Sequence, residues 1–174
     1  EFRRVLFRSV QTFTIPLGAG GGYRIETWGA QGGISWGLGA YMAGDFTLSA
    51  GTVLSIVVGQ AGGSQGTTWG SGGGGSYVAT GTVPLIVAGG GGGKGASVTQ
   101  VQSLSHGTTA TSGQSPSGNA APGGTGGGGG GAGASTVGGT SLTPGGNSPS
   151  TDWASGGGGF YTNGGACYGG ATPG

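Results

Sequence analysis

The chain has 174 residues, of which 52 are glycine and only 5 % are charged, with a formal net charge of +1. The length suits one domain, and charge this sparse, against about a quarter of an ordinary soluble domain, excludes charge-driven disorder. Proline and glycine together make up 59 residues, above the roughly 25–30 % typical of low complexity, so composition points towards disorder and the pattern of apolar residues has to decide.

Residues 1–9 (EFRRVLFRS) carry Glu1, Arg3, Arg4 and Arg8 and are foreign in composition to everything after them. They resemble the in-frame translation of a sequencing adapter and are set aside from fold reasoning, like a fusion scar. The remainder holds Arg24 and Lys94 against Glu26, Asp45 and Asp152, a net charge of −1. Residues 10–174 are expected to form a single glycine-rich domain, truncated at its C-terminus. Its strand-rich part is 10–95, and polyglycine runs and polar loops fill 96–174.

In chain order, residues 10–16 (VQTFTIP) alternate, with Val10, Thr12 and Thr14 on one side and Phe13 and Ile15 on the other. Residues 22–29 put Tyr23, Ile25 and Thr27 on one face and Arg24, Glu26 and Trp28 on the other. Such alternation marks a half-buried strand. Residues 40–48 place Met42, Phe46 and Leu48 together, with Gly44 as a bulge or point of close approach. Residues 52–59 (TVLSIVVG) are nearly all apolar and suit a central strand buried on both faces. Residues 76–80 and 83–88, joined by Gly81 and Thr82, read as a hairpin. About six strands are expected before residue 90, and no window shows helical spacing with caps. The apolar stretches at 53–58 and 83–88 are too short to span a bilayer. Cys167 is the one cysteine, so no disulfide framework follows.

The glycines fall in unbroken runs at 72–75, 89–93, 126–131 and 156–159. Runs of this kind can adopt the extended left-handed helix of three residues per turn. With no side chains in the way, several such rods can lie side by side and hydrogen-bond to one another. This offsets the backbone entropy that ordering glycine costs. Each run is expected to supply one rod of a bundle.

The ordered strings 23–33 (YRIETWGAQGG), 53–60 (VLSIVVGQ), 72–79 (GGGGSYVA), 84–93 (PLIVAGGGGG) and 156–165 (GGGGFYTNGG) carry a resemblance. Together they resemble the glycine-rich ligand-binding domain of the anaplastic lymphoma kinase and leukocyte tyrosine kinase receptors, over nearly all of residues 10–170. The resemblance implies an all-β fold. That fold is a β-sandwich of tumour-necrosis-factor-like character, with an inserted bundle of polyglycine type II helices and essentially no α-helix. It also implies extracellular recognition of a polypeptide. The receptors' ligand-contacting residues have no clear counterparts here, and the family's cysteine pattern and kinase segment are missing. A microbial surface or secreted protein using the same module is therefore expected, with its ligand-binding residues unknown.

No catalytic, cofactor-binding or metal-binding residue is assigned. His106 lies in a Ser/Thr loop, Asp45 and Asp152 stand apart in sequence, and Ser76 and Ser103 have no base near them in sequence. Residues 89–94 imitate a phosphate loop, but Ala88 and Gly95 depart from the Walker pattern, which leaves Lys94 as a solvated lysine. Arginine–glycine binding of RNA needs many arginines, and only Arg24 remains, best read as a same-face partner of Glu26. Trp28, Trp36, Trp69 and Trp153 are either exposed binding anchors or covers over bare backbone. The expected function is a non-catalytic extracellular or cell-surface recognition module. It would take a protein or glycan, with no cofactor, nucleic acid or direct membrane insertion, through loops such as 60–69 and 96–122. The alternative is a structural or adhesive component of a cell wall, filament or phage fibre. The oligomeric state is left open.

Overall fold

The computed structural model describes residues 10–65, 67, 69–95, 101–114, 123–124 and 158–160. Within them lie eight strands: β1 (Gln11–Thr14), β2 (Gly21–Trp28), β3 (Tyr41–Leu48), β4 (Val53–Val57), β5 (Ser64–Gln65), β6 (Trp69–Gly70), β7 (Ser76–Thr80) and β8 (Val83–Ala88). The helical content of the described residues is two short 3-10 turns, Gly33–Ser35 and Gln102–Ser105. The fold is all-β. The count exceeds the expected six because β5 and β6 have only two residues each and form a small ribbon of their own.

Two antiparallel sheets share one apolar core. One has the order β1-β4-β7-β8, and the other is the pair β2-β3. Ile15, Leu48, Leu54, Val78 and Ile86 are buried between them, with Phe13, Tyr23, Ile25, Met42, Phe46 and Ile56 packed around. The alternation in β1, β2 and β3 selects these inward residues as the sequence predicts, because successive side chains of a strand point to opposite faces. Pro84 is tolerated in β8 because β8 is an edge strand. The β7–β8 turn carries Gly81 at φ +56°, a left-handed conformation that suits glycine.

Of the two readings of Gly44, the point of close approach holds and the bulge does not: the β2–β3 register runs unbroken from Gly21 opposite Leu48 to Trp28 opposite Tyr41. Its missing side chain makes room for the Phe46 ring, which a Cβ would approach to 3.0 Å. One expectation needs correction: β4 is not buried on both faces. It is central in its sheet, yet only Leu54 of its residues is fully buried and Val53 is 49 % exposed. A central place in the hydrogen-bonding order does not by itself put a second layer over the outer face.

The glycine segments continue the strands at one end of the sheets. Residues 29–33 follow β2 and 37–40 lead into β3; 59–63 follow β4 and 70–75 lead into β7; 89–94 follow β8. These segments bond to one another with a step of three residues. Gly70 and Gly73 donate to the carbonyls of Lys94 and Gly91, Ser71 and Gly74 donate to Gly63 and Gln60, and Gly75 donates to Gly158. Gly29 and Gly32 donate to Ala40 and Gly37, while Ala30 and Gly33 donate to Gly74 and Ser71. In each such pair the donor advances as the acceptor retreats, so the neighbours run antiparallel. A β-strand bonds in one plane, whereas residues 70–75 bond in three directions in turn. Gly32 is extended, at φ −65° and ψ 156°. The approach is close enough that a Cβ on Gly29, Gly33, Gly62, Gly73, Gly90 or Gly93 would fall within 3.0 Å of a neighbouring backbone. The run 126–131 and residues 156–157 lie outside the described residues.

Candidate functional site

The outward face of β2–β3 gathers most of the chemistry that the described residues offer. Alternation sends Gly22, Arg24, Glu26 and Trp28 outward from β2, and Tyr41, Ala43, Asp45 and Thr47 outward from β3, all of them exposed. Register then pairs them, Arg24 opposite Asp45, Glu26 opposite Ala43 and Trp28 opposite Tyr41. The Arg24 guanidinium donates from Nε to Glu26 Oε1 at 2.9 Å and from Nη1 to Asp45 Oδ1 and Oδ2 at 3.3 and 3.4 Å. The hydrogen bond to Glu26, then that to Asp45, holds Arg24 above its ordinary pKa, so it remains a cation. At the other end of the face the rings of Trp28 and Tyr41 lie 5.0 Å apart between centroids with planes inclined by 37°. They are 60 % and 45 % exposed.

The sequence anticipates the Arg24–Glu26 pair, because residues two apart on a strand share a face. It misses Asp45, which is not isolated, and Tyr41. Both are brought in by the cross-strand register, and the glycine segments joining β2 to β3 give no local signal of it. Trp28 proves to be exposed rather than a cover for backbone. Trp36 is half-buried. Its Nε1 donates to Ser105 Oγ at 3.0 Å, and Lys94 Nζ sits 5.1 Å from its ring centroid. Lys94 is thus a cation–π partner and not the freely solvated lysine expected. Trp69 lies half-buried in β6.

The remaining sequence candidates are tied into structure. His106 Nδ1 accepts a hydrogen bond from the Leu38 amide at 2.9 Å, standing where a carbonyl stands elsewhere among the segments. Ser76 is buried and its hydroxyl accepts from the Gly59 amide at 3.0 Å. Ser103 is exposed in the second 3-10 turn. Ile34 and Ser35 take the left-handed conformation, at φ 51° and 58°, to reverse the chain between residues 29–33 and 37–40. The Ile34 amide there donates to Ser64 Oγ at 2.9 Å. Of the expected binding loops, Gln60, Gly62 and Gly63 are engaged in backbone bonds, and residues 96–100 and 115–122 lie outside the described residues. So do Asp152, Trp153 and Cys167. Among the described residues no three His, Cys, Asp or Glu side chains meet as a metal site, and no helix is long and apolar enough to cross a membrane.

Comparisons of the chain with protein-family models, with characterised proteins and with solved structures find no match.

Proposed function

We propose that the chain is a non-catalytic recognition module of an extracellular or cell-surface protein, binding a protein or glycan through the outward face of β2–β3. The observation that carries this reading is the half-exposed Trp28–Tyr41 pair on the same face as the Arg24–Glu26–Asp45 cluster. Large aromatic rings and arginine left accessible on a rigid surface are the residue types that anchor partners. Three of the four charged side chains among the described residues stand there, in a chain that otherwise spends almost no charge.

The glycine segments are, in this reading, polyglycine type II helices inserted at one end of a sandwich of tumour-necrosis-factor-like character, as in the kinase-receptor domains the sequence resembles. The three-residue bonding step and the Gly32 backbone support the first part, and the two sheets on one core support the second. Such a bundle would hold Trp28 and Tyr41 rigidly, since residues 29 and 40 bond directly to each other at 2.9 Å.

The test presents the full chain to panels of extracellular proteins and of glycans. Saturable binding to a member of either panel, lost on replacing both Trp28 and Tyr41 with alanine while the melting transition persists, is expected. A folded chain that binds neither class would refute the reading. Filaments assembled by the purified protein would replace it with the structural or adhesive role.

A further inference from the structure

We infer that the β2–β3 face is built for an uncharged pyranose glycan, stacked on Trp28 and Tyr41 and hydrogen-bonded through Arg24 and Glu26. The inference rests on the recognition reading above and names its ligand class.

Three features of the face select this occupant. The first is charge. Arg24, Glu26 and Asp45 sum to −1 and are already bound to one another, so the face has no net attraction for a phosphate or sulfate polyanion. What remains for a ligand is directional. The Nη2 donors of Arg24 and Oε2 of Glu26 have no hydrogen-bond partner among the described residues. A planar donor beside a planar acceptor matches neighbouring ring hydroxyls, each of which gives and takes one hydrogen bond.

The second feature is the aromatic pair. A pyranose carries its axial C–H bonds on one side and its hydroxyls around the rim. The electron-rich face of an aromatic ring attracts such C–H groups. Trp28 and Tyr41 stand directly opposite in register and present adjacent rings at the surface. The Arg24–Asp45 pair is four residue steps away along each strand, about 13 Å at ~3.3 Å per residue. The middle of that span is occupied only by Glu26 and the small Ala43. A short oligosaccharide can therefore stack at one end and be hydrogen-bonded at the other.

The third feature is size. The eight outward positions cover roughly 250 Å² at the usual strand spacing and pleat. A stable protein partner takes about 800 Å² from each side. The same area suffices for a few sugar rings.

The experiment titrates the full chain with neutral gluco-, manno- and galacto-configured tetrasaccharides, with heparin as polyanion, and with a panel of peptides, following the Trp28 indole N–H by nuclear magnetic resonance. One neutral tetrasaccharide is expected to bind saturably and shift that resonance, with affinity changed less than about twofold between ~0.1 and ~1 M salt. Trp28→Ala and Arg24→Ala should each weaken it about tenfold or more, and Tyr41→Phe, which keeps the ring, by no more than about twofold. Arg24→Ala, at an exposed side chain, keeps the test readable if Trp28→Ala impairs folding. Saccharide binding untouched by either substitution would overturn the site. Peptide binding at this face without saccharide binding, or heparin binding that falls steeply with salt, would overturn the glycan and leave the recognition reading standing. A folded chain inert to all three probes would overturn the glycan, and the recognition reading with it only where the panel of extracellular proteins also fails to bind.

Discussion

Between the sheets, Leu54, Val78 and Ile86 exclude water with their side chains. In the glycine segments at the ends of β2, β7 and β8, the backbone takes that part: Gly73 lies against the carbonyls of Ala30 and Gln31, and Gly90 against that of Gly73. The first region gains from burying apolar area and tolerates imperfect fits by repacking rotamers. The second is held largely by amide–carbonyl bonds, and its glycines have no rotamers to adjust. The two regions should therefore fail in opposite ways, one when atoms are removed and the other when atoms are added.

The sharpest test adds atoms to the glycine segments. Gly73→Val forces a branched side chain onto two carbonyl oxygens and disturbs the bond from its own amide to Gly91. Overpacking and a lost buried hydrogen bond together should lower the unfolding free energy by about 4 kcal/mol, read by urea denaturation of the full chain. A loss below about 1 kcal/mol would mean that the segments yield as a loop does, and the contrast would collapse.

Removing atoms from the sheet core comes next. Leu54→Ala is expected to lower stability by about 3 kcal/mol, from lost transfer energy and the cavity left behind. If Leu54→Ala proved harmless while Gly73→Val did not, the glycine segments alone would hold the fold. Thr27 offers a finer comparison. Its hydroxyl is buried in the sheet region with no hydrogen-bond partner among the described residues. Thr27→Val keeps the shape and removes the unpaired group, so stability should rise by about 1 kcal/mol. A fall would reveal a hidden partner for the hydroxyl. The smallest effect is expected at Gly22, a strand glycine with nothing within 4 Å of the place a Cβ would take. Gly22→Ala should raise the melting midpoint slightly, by about 0.5 kcal/mol of stability, because alanine restricts the unfolded chain. Intolerance there would show that glycine is needed outside those segments as well.

The strands were legible because their signal is local. Tyr23, Ile25 and Thr27 alternate with Arg24, Glu26 and Trp28, and a period of two reports a face wherever it occurs. The hairpin of β7 and β8 was legible for the same reason, since Gly81 and Thr82 sit between two apolar runs. The reading of β4 as buried on both faces went too far, because an apolar run says that a strand can be covered and not that a layer exists to cover it. Half of the candidate face was visible, Arg24, Glu26 and Trp28 on one strand. Asp45 and Tyr41 were not, since a cross-strand partner depends on register.

By itself, then, the sequence determined the six longer strands, which side of β1, β2 and β3 is apolar, and that the glycine runs could be ordered only by bonding to one another. Tertiary structure alone decided the partners. Within residues 72–75 every residue is identical to the next, so nothing local distinguishes the amide that bonds towards residues 89–94 from the one that bonds towards 59–63. That choice follows from where β2, β3, β4, β7 and β8 deliver their ends. Those positions are set by side chains packing across the sheets, far along the chain from the glycines they align.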